Sequence, residues 1–547
     1  MDKLFVIAIG GTGMRCLESF VHLCAIGMFD NEEINILTLD TDQTNGNKGR
    51  VERLIENYKR IKSPSQYQDG GVPTCNTFFS AKLNLYKFHT DYGIPSRANY
   101  KTLAGLYSGS PKEQVENKLI SDLFLDTNTV QEFRLFEGYR AQTHLGSMLM
   151  YHGIIEAAIN LNKKADKSEE KEKQLNAFVD KLNDTTYKSR VFVFGSVFGG
   201  TGASAIPIIP KALQEFLRIR NEKTKQSFDF SRTMFGSTLL TQYFTFNRPS
   251  KGQKEEKGNN IIAESDNFNI NSQAALNFYA DDISVNEYYK AFYHIGWPAE
   301  SKKIDEDNLS SKTITGGAEQ KNSCHITELL CACAAYDFFN RSSNDLSGAK
   351  PRNFFKSINR EGKYFNFTFN DFMGNENKKF KNNLGAFFSL AHIVLTRYNA
   401  VNGGPGISEF LKNIEKNKKR EYETITSSDF EEINNYFKEF AYTYDNGKFV
   451  RGWIYQVKNT VVNPGIFLFD ENAFTEDPNL LKKLDVGALF IKKEGGHWTA
   501  GVWHDRLDIF LDVFKKSSVT LEQKVSQPKE QLLATIFNAI TASQKLI

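Results

Sequence analysis

The chain has 547 residues, of which 40% are hydrophobic, 24% charged and 13% aromatic. That is a globular composition with ample apolar side chain for a core, and it excludes a wholly disordered chain. With 68 Lys and Arg against 65 Asp and Glu the net charge is +3, which removes any whole-chain electrostatic argument for nucleic acid or an anionic membrane surface.

At about 150 residues per domain, the length predicts three or four domains. Six cysteines, Cys16, Cys24, Cys75, Cys324, Cys331 and Cys333, are too sparse for a disulfide scaffold and read as reduced thiols of a cytoplasmic protein. The opening MDKLFVIAIGG ends its apolar run in glycines and passes into a helical pattern, so no signal peptide is expected. The charge-free stretch Val191–Pro210 is broken by four Gly, two Pro and two Ser; it reads as strand, loop and helix rather than a membrane span.

Leu4–Ile9 is a continuous apolar run ending in Gly10-Gly11-Thr12-Gly13, and Met14, Leu17, Phe20, Val21 and Cys24 follow at helical spacing. Strand, glycine turn and helix open an α/β sheet whose first strand is buried on both faces. Ile34–Asp42 is a second strand ending in acids, so the sheet is predicted mostly parallel. Residues 46–135 read as helices and loops decorating the sheet. A helix is predicted from about His144, and the charge-rich stretch within 162–190 reads as an exposed helix. RVFVFGSV is a third buried strand, followed by the loop FGGTGAS and an apolar helix from about Ala205.

A fourth strand is expected at Thr233–Phe244, a mobile loop at Arg248–Asn260, a helix at Ser272–Tyr279 and a short strand at Ala291–Trp297. Cys324–Phe339 is the most apolar helix of the chain. Past residue 345 the texture changes: KYFNFTFNDF, RGWIYQV and GALFIKK read as strands and LGAFFSLAHIVLTRY as a buried helix. The predicted architecture is α/β, a mostly parallel sheet with helices on both faces and a long core helix. Three units are expected: a parallel-sheet α/β domain over 1–321, the core helix and following loop over 322–345, and a second α+β domain over 346–547.

Two glycine loops, Gly10–Gly13 and Gly199–Gly202, thus sit between a buried strand and a helix. Glycine lets backbone approach a phosphate, and the N–H groups of a helix start supply positive potential. Two such loops at the carboxyl ends of strands in one sheet favour a nucleotide crevice. The P-loop pattern is nearly met from Gly195 to Gly200, but Thr201 stands where Lys is required. The dinucleotide fingerprint fails as well, because from Gly11 its third glycine falls on Cys16; Asp40 or Asp42 could still serve as its ribose-binding acid. Cys331-x-Cys333 with His325 does not have the spacing of a metal knuckle and reads as core.

GGTG near the N-terminus, a strand ending in LDTDQ, and a strand followed by FGGTGAS together resemble the tubulin/FtsZ superfamily. Within it the chain most resembles the large bacterial tubulin-like proteins. The resemblance covers roughly residues 1–345. The family's signature loop is GGGTGS/TG, and Phe198 stands in place of its first glycine.

The resemblance implies a GTP- and GDP-binding protein with Mg²⁺. Gly10, Gly11, Thr12 and Gly13 would form the first phosphate loop. Asp40, Thr41 and Asp42 would form the second, with Asp42 near the metal. Gln142, Thr143, His144 and Gly146 would form the third. Gly199, Gly200, Thr201, Gly202, Ala203 and Ser204 would be the signature loop. Asn271 would touch the nucleoside and Asn322 would read guanine; an Asn amide suits that edge by pairing a donor with an acceptor, and either residue could instead cap a helix. Hydrolysis in the family is completed in trans by an acid of the neighbouring subunit, here Asp345 in N-D-L or Asp371 in N-D-F.

The implied partner is the chain itself, stacked head to tail, with other proteins of an assembly as further partners. Neither a nucleic-acid partner nor membrane insertion is expected. Two other classes are weighed: a tubulin-like structural subunit that binds nucleotide without polymerising or hydrolysing, and a dinucleotide-dependent oxidoreductase.

Overall fold

The structure is a computed structural model. It describes residues 2–29, 32–61, 77–90, 143–163, 168–184, 186–224, 230–245, 265–297, 303–304, 316–318, 324–357, 376–397, 431–437, 442–445, 448–451, 497–499, 502–504 and 528–546, with single residues such as Tyr139, Gln320 and Asn322.

The first strand, β1 (Lys3–Ile9), leads directly into helix α1 (Gly10–Ala25), and β2 (Glu33–Asp40) follows, then α2 (Gly46–Ile61) and β3 (Lys82–His89). Helices α3 (Thr143–Lys163) and α4 (Glu170–Leu182) lead to β4 (Ser189–Phe194). Next come the short α5 (Thr201–Ala205), α6 (Ile209–Thr224) and β5 (Thr233–Leu240). Helices α7 (Phe268–Asp281) and α8 (Ile283–Tyr288) precede β6 (Tyr289–Gly296), and the core helix α9 (Ile326–Asn340) precedes β7 (Arg352–Ser357). Two later helices are α10 (Asn377–Arg397) and α11 (Pro528–Leu546).

Seven strands form one sheet in the order β3-β2-β1-β4-β5-β6-β7, and every pairing in it is parallel. The fold is therefore α/β with helices on both faces. β1 shows why. Its side chains alternate between two cores: Leu4, Val6 and Ala8 pack with α1, α2 and α9, while Phe5, Ile7 and Ile9 pack with α3, α4 and α6. A strand buried on both faces has no polar side to present, hence its unbroken apolar sequence.

β3 differs from the expectation of decoration over 46–135. It is the sheet edge, and in KLNLYKFH only Leu83 and Phe88 are buried; the Lys and Asn of a half-solvated edge dilute the apolar pattern. Among the described residues beyond 345, β7 continues the same sheet. Phe387, Tyr436 and Phe537 meet Phe78 and Phe79 at ring distances of 4.9–5.7 Å, sharing the core of α1 and α2. The strands expected at 363–372 and 487–493 and the loop at 248–260 lie outside the described residues; of the strand expected at 451–457 only Arg451 is described, at the end of the short strand Lys448–Arg451. The five described cysteines are buried thiols outside any disulfide. No helix among the described residues is long and apolar enough to cross a membrane.

Candidate functional site: two adjoining glycine loops at the switch point

From β1 the chain moves through β2 to β3 on one side, and β4 then returns to the other side of β1. The connections leave β1 and β4 in opposite directions, which opens a crevice at their carboxyl ends. Both glycine loops border it. Gly10 has φ +66°, the left-handed backbone that favours glycine, and a Cβ there would stand 3.0 Å from Thr201 Cβ. The two loops therefore touch.

Within each loop the glycines divide their roles. A Cβ at Gly13 would lie 2.5 Å from Phe194 O, and one at Gly202 would lie 2.7 Å from Ser196 O; these two let a helix start lie against β4 and its exit. Gly11, Thr12, Gly199, Gly200 and Thr201 instead remain partly accessible. The first turns of α1 and α5 have no acidic residue and no side-chain cap. For α1, a 16-residue helix, that leaves N–H donors and the positive dipole end directed at the crevice.

Phe198, just before the second glycine loop, is buried against Phe268 at 4.9 Å and Phe244 at 5.7 Å. Its ring belongs to the core under α7. Ala203 is buried too, and its carbonyl accepts the Tyr279 hydroxyl at 2.6 Å. Ser204 donates its hydroxyl to Gly200 O at 2.6 Å, so it braces the loop. Gly146 in α3 packs against the Ser204 side chain, where a Cβ would overlap Oγ, and Ser147 Oγ donates to Ser204 O at 2.7 Å. Thr143 and the exposed His144 begin the same helix. Gln142 lies outside the described residues.

The end of β2 adds acids. Asp40 and Asp42 are both 2% exposed. Burial pushes the Asp40 carboxyl up to about 7, and Asp42 adds to the rise; Lys48 and the backbone N–H groups of Asp42 and Thr41 oppose it. Asp40 Oδ2 and the Thr41 hydroxyl are buried without a hydrogen-bond partner among the described residues. Asp42 is a staple: Oδ1 accepts Thr44 N and Oγ1 at 3.0 Å, and Oδ2 accepts Gly317 N at 2.6 Å. Among the described residues no group of three or more His, Cys, Asp or Glu is arranged to hold a metal ion.

Asn322 sits before α9 and is 8% exposed. Its Oδ1 accepts Asn47 Nδ2 at 2.9 Å, and its backbone N–H donates to Asn47 Oδ1 at 3.0 Å. Arg50 Nη1 also donates to Asn322 O at 2.9 Å. This reciprocal clamp ties α2 to the start of the core helix. The cap of α9 is His325, in a capping box with Glu328. Asn271 lies in the second turn of α7, partly accessible, on the helix that packs against Phe198.

Asp345 is at the other end of the molecule. α9 runs from the Asn322 clamp to the amino end of β4, where Arg190 donates to Phe338 O and Arg341 O. At 15 residues that helix spans about 22 Å. Asp345 follows it in a turn, bonded to Ser342 at 2.8 Å, with a side chain 46% exposed. Asp371 lies outside the described residues.

Several residues beside the crevice carry no sequence motif. Asn45 Nδ2 bonds Gln320 Oε1 at 2.6 Å, and both face Gly11, where a Cβ would stand 3.3 Å from each. Arg15 pairs with Glu328, which accepts the Tyr243 hydroxyl at 2.7 Å. Only their juxtaposition in the fold reveals them. No protein-family model and no curated protein matches the chain, so the site's own chemistry carries the functional reading.

Proposed function

We propose that this chain is a tubulin-like GTP-binding protein that stacks head to tail, with GTP and Mg²⁺ in the glycine-loop crevice of one subunit and the lower end of the next subunit closing it. The observation that carries the reading is the contact between Gly10 and Thr201, which joins two glycine loops at the switch point of a parallel sheet. The uncapped first turn of α1 provides N–H groups for phosphate oxygens, and Thr12 and Thr201 add hydroxyls at partly accessible positions. The unpartnered Asp40 Oδ2 and Thr41 Oγ1 fit a site that a polar ligand completes. Mg²⁺ would neutralise phosphate charge. Asp42 is the residue to hold it, since Oδ2 takes a single donor, Gly317 N, and keeps a lone pair.

The strand order alone also suits a dinucleotide fold. Against that reading, Cys16 occupies the third-glycine position and is fully buried in α1. Asp345 favours assembly: about 22 Å of helix separates it from the crevice of its own chain, so an acid there acts on nucleotide only from a neighbouring copy. A heterologous contact of this kind that does not close yields a filament. Titration calorimetry with GTP, ATP and NAD tests the ligand. A base edge read by one pair of buried hydrogen bonds, worth about 1–3 kcal/mol, makes GTP roughly 5- to 150-fold tighter than ATP. Equal affinity for the two overturns base reading, and preference for NAD supports the oxidoreductase.

A further inference from the structure

Before the core helix α9, Gly317 and Gln320 are bonded to the turn between β2 and α2. Gly317 N donates to Asp42 Oδ2 at 2.6 Å, and Gly317 O accepts Gly46 N at 3.0 Å. Asn45 Nδ2 donates to Gln320 Oε1 at 2.6 Å. Gln320 is thereby held beside Gly11, where the Cβ that glycine lacks would lie 3.3 Å from Gln320 Oε1.

Which atom of the Gln320 amide is left for the crevice follows from its neighbours, because the oxygen and nitrogen of an amide are assigned by what they face. Asn45 Oδ1 accepts two backbone donors at the start of α2, Asn47 N at 3.0 Å and Lys48 N at 3.2 Å. The other end of that amide is therefore an amino group, which only donates. The Gln320 atom that meets it must be the oxygen, and Nε2 remains. Among the described residues Gln320 Nε2 has no hydrogen-bond partner. The other two amides around Gly11, Asn45 and Asn47, are 4% and 1% exposed, whereas Gln320 is partly accessible. The crevice side of Gln320 is thus an edge that only donates, next to the partly accessible Gly11 and Thr12. A phosphate oxygen only accepts, and its charge strengthens the bond.

We infer that Gln320 is a ligand-binding residue: Nε2 donates a hydrogen bond to the phosphate chain held at Gly11 and Thr12, and the bond from Asn45 keeps the amide in that orientation. The inference rests on the phosphate-cradle reading of the glycine loops. Gln320→Glu keeps the oxygen that Asn45 needs and replaces the donor by a second, charged oxygen. Gln320→Met keeps the length and removes both. A residue that merely braced Asn45 would make Glu resemble wild type and Met the weaker binder. Donation to phosphate reverses that order: Met should bind roughly tenfold or more weakly than wild type, and Glu more weakly still. Gln320→Lys, which restores a donor without the acceptor, should recover most of the Met loss, and it carries the test should Glu misfold. Calorimetry on the full chain with GTP and with inorganic tripolyphosphate gives the affinities, and circular dichroism checks each fold. Both probes should lose by the same factor, since the contact is to the phosphate chain. Wild-type affinity in Glu, Lys binding as weakly as Met, or a loss with GTP alone overturns the inference and leaves the cradle reading standing. A wild type that binds neither probe overturns both.

Discussion

Gly11→Val separates ligand binding from folding. Gly11 sits partly accessible in the first turn of α1, and a Cβ there would meet Asn45 Nδ2 and Gln320 Oε1 at 3.3 Å and Asn47 Nδ2 at 3.6 Å. These are the far ends of side chains, able to give by a few tenths of an ångström. Replacing Gly in a helix also gains a few tenths of a kcal/mol in propensity, so stability should stay within about 1 kcal/mol of wild type. The isopropyl group, however, would stand where a phosphate must reach the N–H groups of Gly11 and Thr12. Each lost charge-assisted hydrogen bond is worth about 1.5–3 kcal/mol, or roughly 10- to 150-fold in affinity. Gly13→Ala is the contrast: its Cβ would lie 2.5 Å from the backbone oxygen of Phe194, which cannot yield, so it should lower stability. Calorimetry with GTP and urea denaturation read the two effects. Gly11→Val binding GTP as tightly as wild type, while folded, refutes the phosphate cradle.

Three further outcomes follow from single contacts. The Arg50–Glu18 pair has side chains 5% and 4% exposed, so Arg50→Met strands a buried carboxylate and should cost about 3–5 kcal/mol in urea denaturation; adding Glu18→Leu should recover most of it. His22 is fully buried, bonded to Tyr436 at 2.8 Å, and burial together with Arg50 holds its imidazole well below the usual range. The unfolded chain therefore takes up a proton near pH 6.5 that the folded chain refuses. Its contribution to stability is full above pH 6.5 and falls by up to about 1.4 kcal/mol per pH unit below it; His22→Gln should flatten that decline in denaturation curves at pH 7, 6 and 5. Asp345→Ala should leave GTP affinity near wild type and cut hydrolysis. Wild-type turnover per subunit should rise with protein concentration, and a flat profile contradicts catalysis in trans.

The central strands were legible because β1, β2 and β4 are buried on both faces: β1 and β4 carry continuous apolar runs over Leu4–Ile9 and Val191–Phe194, and β2 keeps Ile34, Ile36, Leu37 and Leu39 around the buried Asn35 and Thr38. The core helix was legible for the same reason, with nearly every residue of Ile326–Phe339 buried. β3 was not, since an edge strand carrying Lys82, Asn84 and Lys87 offers no continuous pattern. The glycine loops could be read from composition, but their division of labour could not. That Gly13 and Gly202 serve packing while Gly11 and Gly200 face the crevice depends on which atoms of β4 lie beneath them. Asn322 was marked for its amide, and its pairing with Asn47 is a contact across 275 positions of sequence, invisible to local spacing. Asn45, Gln320 and Glu328 escaped for the same reason.

Negative-stain electron microscopy of the purified chain with GTP, with GDP and with no nucleotide tests head-to-tail stacking most directly. The account predicts filaments with GTP, with an axial repeat of one subunit, and their loss with GDP and in Gly11→Val. Dispersed particles under all three conditions, at concentrations where calorimetry shows the crevice filled, would contradict it and leave the nucleotide as a structural ligand.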